Sequence, residues 1–119
     1  MPSSKPARRF GDILENVRTI EDYTEGMDVR GFKADAKTRD AVERCLERIS
    51  EAASKLGETA PALAPAQPWQ QIRALGNRIR HEYDRLQDER LWEIVTNDLP
   101  SLRADCERVL EELGDTDRN

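Results

Sequence analysis

Apolar residues in this chain recur at every third or fourth position and almost nowhere at every second. That spacing gathers them on one side of an α-helix and does not suit a strand half-buried in a sheet. Phe10, Ile13, Leu14, Val17 and Ile20 form one stripe, with Arg9, Glu15, Arg18 and Asp22 outside it. Val42, Cys45, Leu46, Ile49, Ala52, Ala53 and Leu56 form a second. Ile72, Leu75 and Ile79 make a shorter third, and a fourth runs from Leu91 through Trp92, Ile94, Val95, Leu99, Leu102, Cys106 and Val109 to Leu110. The expected fold is all-α, an antiparallel bundle of four to five helices.

Helix-stopping residues divide these stripes. The first helix is expected over 8–23, with Gly26 as its stop, followed by a connector in which Val29 and Phe32 anchor to the core. The second spans 35–56 and ends at Gly57, a residue suited to the left-handed C-cap position. Pro61 and Pro65 mark 57–67 as loop. A third helix covers 68–83, with Pro68 at the first helical position. After a short turn the last segment begins near Asp88, and Pro100 makes it either kink or divide. The domain reading is a flexible N-terminus over 1–7, one helical domain over 8–113 and a flexible C-terminus over 114–119.

Composition narrows the function classes. A chain of 119 residues is expected to form one domain. No apolar run approaches the roughly 18 residues of a membrane span, and the first residues lack a signal peptide's apolar segment. A cytoplasmic protein without membrane contact is the expectation. Cys45 and Cys106 lie inside helical patterns and read as buried, reduced thiols. With one histidine and no close cysteine pair there is no zinc-type spacing, so neither metal nor cofactor is expected. The net charge of −5 argues against indiscriminate nucleic-acid binding. Arg73, Arg78, Arg80 and Arg85, offset only by Glu82 and Asp84, still make a local basic patch. Such a patch suits selective RNA contact or an acidic partner.

The third helix carries the chemistry. His81 is the single histidine, and a lone histidine can take up or give a proton near neutral pH. On a continuous helix Asn77 and His81 lie about 40° apart, on one ridge. Cleavage of RNA by its own 2′-hydroxyl needs a proton acceptor, a proton donor and a cation for the charged phosphorane. His81 can serve proton transfer, and an arginine can hold the phosphate through two hydrogen bonds. A structural His81, satisfied within the fold, is the alternative. Tyr83 continues the apolar stripe four residues after Ile79 and, from spacing, reads as core with its hydroxyl at the edge. Trp69 and Trp92 read as packing residues.

The run Gly76-Asn77-Arg78-Ile79-Arg80-His81-Glu82-Tyr83, led by Pro68-Trp69, resembles the signature region of the HepT-like toxins of the HEPN superfamily. That signature is an arginine, an asparagine, three variable residues, then His-x-Tyr. Asp12-Ile13-Leu14, Asp22-Tyr23-Thr24-Glu25-Gly26-Met27, Lys37-Thr38-Arg39-Asp40-Ala41-Val42, Ile49-Ser50-Glu51-Ala52-Ala53 and the stretch from Leu91 to Pro100 are also similar to the family, over about residues 9–112. The resemblance implies an all-helical homodimer in which two His-bearing motifs meet in a shared cleft. It implies a metal-independent endoribonuclease, the toxin of a toxin–antitoxin pair. The partner it implies is a minimal nucleotidyltransferase of the MntA type, an antitoxin that transfers AMP onto the motif tyrosine. On these terms His81 is the acid/base, Asn77 a polar orienter and Tyr83 the AMP acceptor.

One position departs from the signature: its arginine falls on Gly76. Arg78, roughly 60° from His81 on a continuous helix, and Arg73, about two turns back, are the replacements expected from spacing. Arg80, roughly 100° away, is the weakest by the same measure. Loss of a transition-state stabiliser costs on the order of 10²–10³ in rate. The rival expectations are therefore a weakened HEPN protein that binds the nucleotidyltransferase, and a non-enzymatic helical adaptor. Gly76 also suggests a close helix–helix approach across the dimer.

Overall fold

The computed structural model describes residues 5–81 and 86–118, with side chains to residue 114. Among them there is no strand, and no helix is long and apolar enough to cross a membrane. Helix α1, Pro6–Thr24, starts with proline in its first turn, where the missing N–H has no partner to lose. It buries Phe10, Ile13, Leu14, Val17 and Ile20, the whole of its stripe. Buried Thr24 satisfies its hydroxyl by donating to the Ile20 carbonyl at 2.8 Å.

The connector after Gly26 is in part helical. Asp28 accepts a hydrogen bond from the Gly31 N–H at 2.8 Å and caps α2, Val29–Ala34. Phe32 is fully buried as expected and meets Trp92 with ring centroids 5.2 Å apart. Val29 is 40% exposed, so it anchors nothing: it opens the helix outside the core. Asp35 caps α3, Ala36–Leu56, accepting from both the N–H and the hydroxyl of Thr38. All seven residues of the second stripe are buried there, and Ser50 with them.

Residues expected as loop also contain a helix, α4, Thr59–Leu63. Pro61 is its third residue, inside the first turn, where no helical hydrogen bond requires its N–H. Helix α5 is Trp69–Arg80. Pro68 stands one place outside it as N-cap, with its carbonyl accepting from the Ile72 N–H at 3.0 Å. Helix α6, Asp88–Glu93, runs into a π-helical turn, Ile94–Asp98, and then α7, Leu99–Arg118. Pro100 is the second residue of α7, inside its first turn, so the last segment divides just before it as expected. The widened turn just before it, closed by a Leu99 N–H to Ile94 carbonyl bond, fits a ring that would otherwise crowd the carbonyl four residues back.

Helix α3 packs against α1 on one side and α5 on another, and α7 packs on α1. Trp69 ties the start of α5 to this core, with its ring edge-on to Phe10 at 6.1 Å. Its indole N–H donates to the Ala64 carbonyl at 2.7 Å. Cys45 and Cys106 are buried free thiols. Burial, followed by the charges of Asp105 and Glu107, pushes Cys106 up to about 12, and burial likewise raises Cys45.

Candidate active site at the end of helix α5

Helix α5 makes its closest approach to α3 at the edge of its apolar stripe, at Gly76, about 40° around the helix from Ile72. Its two buried residues are Trp69 and Gly76, while Ile72, Leu75 and Ile79 are only half-buried. Gly76 lies against Ser50: a Cβ built at 76 would fall 2.6 Å from Ser50 Oγ and 3.0 Å from Ser50 Cβ. The Ser50 hydroxyl donates to the Arg73 carbonyl at 2.7 Å and accepts from the Gly76 N–H at 3.1 Å. The close approach that glycine allows is thus between α3 and α5 of one chain, rather than across a dimer. Ile72 and Leu75 instead line an open cleft of about 460 Å³, whose far wall includes Ile94, Leu99 and Leu102.

The helix ends sooner than its sequence pattern indicates. His81 is the C-cap, with φ −93° and ψ 112°, and its N–H still donates to the Asn77 carbonyl at 3.1 Å. His81 is exposed. Since it leaves the helix, angles counted around a continuous helix do not describe its relation to Asn77 or to the arginines. Tyr83 lies outside the described residues.

The three arginines diverge. Arg73 is half-buried and aims Nη1 at the Gly57 carbonyl, 3.5 Å away at the C-terminal end of α3. Arg78 is exposed and lines the cleft beside Leu75. Arg80, the weakest candidate by spacing, is the one joined to Asn77: its Nη2 donates to Asn77 Oδ1 at 2.7 Å. Its Nη1 also lies 3.8 Å from Glu47 on α3. The structure thus joins Asn77, Arg80 and the His81 backbone at one helix end, and takes Arg73 away from them. Sequence reasoning missed Ser50 and Glu47. Ser50 stood out only as a small polar residue beside Ile49, within the Ile49–Ala53 segment that resembles the family.

This end of α5 presents an imidazole, a carboxamide and guanidinium groups. Among the described residues no three His, Cys, Asp or Glu side chains gather to hold a metal ion.

The chain is similar to several known proteins along most of its length. It is 34% identical over 119 residues to a protein of Methanocaldococcus jannaschii whose name makes it a candidate RNase, covering 100% of this chain and 98% of that one. It is 33% identical over 98 residues to a protein of Thermococcus cleftensis named as a candidate ribonuclease HepT, covering 82% and 89% of the two chains. No solved structure matches. The profile of the family described as ribonuclease HepT-like matches residues 13–109, which take in α1 from its first buried isoleucine, the Ser50–Gly76 crossing and the His81 motif. With that match and these relatives, the chain belongs to the HepT-like ribonuclease family of the HEPN superfamily.

Proposed function

We propose that this chain is a metal-independent endoribonuclease, the toxin half of a cytoplasmic toxin–antitoxin pair, working as a homodimer with His81 as its proton-transfer group. The observation that carries the reading is exposed His81 leaving α5 directly beyond the Asn77–Arg80 pair, in a member of a ribonuclease HepT-like family. In the cleavage step the 2′-oxygen of RNA bonds to the adjacent phosphorus as its proton passes to an imidazole. The bond from phosphorus to the 5′-oxygen breaks, and that oxygen takes a proton. The products are a 2′,3′-cyclic phosphate and a 5′-hydroxyl. Two copies of the motif in one cleft would supply both the acceptor and the donor of protons.

In this reading Asn77 orients its neighbours, Arg78 adds positive charge at the rim of the cleft, and Arg73 braces the C-terminal end of α3. Ile72 and Leu75, half-buried on the open cleft, give a second copy an apolar surface to cover. The antitoxin is an MntA-type nucleotidyltransferase that joins the Tyr83 hydroxyl oxygen to the α-phosphorus of ATP, with pyrophosphate leaving, and so blocks the cleft.

Burial of Gly76 against Ser50 favours a second reading, in which the protein binds the nucleotidyltransferase but has lost cleavage. Purified protein, shown by mass to carry no AMP, is incubated with RNA in the presence of a chelator, beside His81→Ala. Cleavage by the parent and none by the variant supports the nuclease. Equal behaviour of the two removes the catalytic claim and leaves the binding reading.

A further inference from the structure

We infer that Arg80 is the phosphate-binding cation of this site, occupying the place that Gly76 leaves without a side chain; the inference rests on the nuclease reading above. A side chain at 76 has no room, because Ser50 Oγ would lie 2.6 Å from its Cβ and two hydrogen bonds hold that hydroxyl where it is. The next neighbour of the same Cβ position is Arg80 Nη1, at 3.5 Å. Arg80, one turn onward, therefore folds back over Gly76 and delivers a guanidinium to the point from which a side chain at 76 would begin.

That guanidinium is held and still accessible. Asn77 Oδ1 takes one of its N–H groups at 2.7 Å. Glu47, whose side chain is only 20% exposed, steadies the other terminal nitrogen from 3.8 Å. The Arg80 side chain is nonetheless 56% exposed. A guanidinium carries five donors in a planar fork, so these contacts leave others for two oxygens of a phosphate. Arg80 also directly precedes His81, where the chain turns off the helix. Arg73 is drawn to the Gly57 carbonyl, and Arg78 faces the cleft rather than Gly76.

The test is cleavage of RNA in chelator by the parent, His81→Ala, Arg80→Ala, Arg80→Lys, Arg78→Ala and a remote control, Arg18→Ala on α1. Thermal unfolding of each variant confirms that it is folded. Arg80→Ala is expected to lose about 10²–10³ in kcat. Arg80→Lys should recover only part of it, since an ammonium cannot grip two oxygens in a fixed plane. Arg18→Ala should match the parent. If the parent cuts through His81 and Arg80→Ala cuts equally well, or Arg78→Ala loses more, the assignment of Arg80 is overturned while the nuclease reading stands. If the parent does not exceed His81→Ala, both fall together.

Discussion

Ser50 and Gly76 join α3 to α5 through one hydroxyl, which accepts from the Gly76 N–H at 3.1 Å and donates to the Arg73 carbonyl at 2.7 Å. The contact fixes the helix that ends in His81, so it sets the direction of the candidate site. It also leaves no room for an arginine side chain at 76.

Gly76→Ala should therefore destabilise the protein. Alanine improves helix propensity by about 1 kcal/mol, but its Cβ would meet Ser50 Oγ at 2.6 Å. Overpacking of this kind costs about 1–3 kcal/mol. Urea unfolding should show a net loss, and the double change Ser50→Gly with Gly76→Ala should regain most of it. A more stable single variant would contradict the close crossing.

Trp69 is predicted to be the main tie between α5 and the core. Trp69→Phe keeps a ring against Phe10 but removes the indole donor to the Ala64 carbonyl, which retains only the Gln67 N–H at 3.4 Å, at a cost of about 0.5–1.5 kcal/mol. Trp69→Ala removes the ring as well and should cost about 3–5 kcal/mol. Urea unfolding followed by circular dichroism ranks the two variants. A Trp69→Phe protein as stable as the parent would mean that the indole bond contributes nothing.

The thiols give a second check on the core. Reaction needs thiolate, and burial drives Cys106 up to about 12 and Cys45 upward as well. A thiol reagent at about pH 8 should therefore leave both cysteines of the native protein unmodified and label both quickly in concentrated guanidinium. Fast labelling of Cys106 in the native state would place it outside the core.

Asp35 makes the start of α3 sensitive to acid. The Thr38 N–H, then its hydroxyl, hold the Asp35 carboxyl below the ordinary carboxylate value. A lowered value means that the stabilisation is present above the unfolded-state pKa and is lost as pH falls through the folded one. Asp35→Ala should unfold at a lower temperature than the parent at neutral pH, and the gap should close in strong acid. A gap that persists there would show that the charge is not what stabilises.

The long helices were legible because a helical period placed the whole stripes of α1 and α3 on buried faces. The short helices were not. Asp28 as a cap and Pro61 in a first turn are local signals without an apolar stripe, and α2 and α4 have only six and five residues. Helix α5 misled in two ways. Ile72, Leu75 and Ile79 look like its packing side, yet the closest approach follows the smallest residue, Gly76. Nor does any glycine or proline mark its end between Arg78 and His81, so spacing alone treated His81 as helical and Arg80 as remote. The family was legible in the sequence, as the match over 13–109 shows. The partners of the motif's side chains depended on α3, which no spacing within α5 reveals.

If His81 promotes attack by the RNA 2′-hydroxyl, the chemistry of the cut ends records it. The parent and His81→Ala are incubated in chelator with one RNA strand and with the same sequence made as DNA. Fragments ending in 2′,3′-cyclic phosphate are expected from the RNA with the parent alone, and none from DNA. Cutting of the DNA strand, or equal cutting of RNA by His81→Ala, would contradict that role for His81.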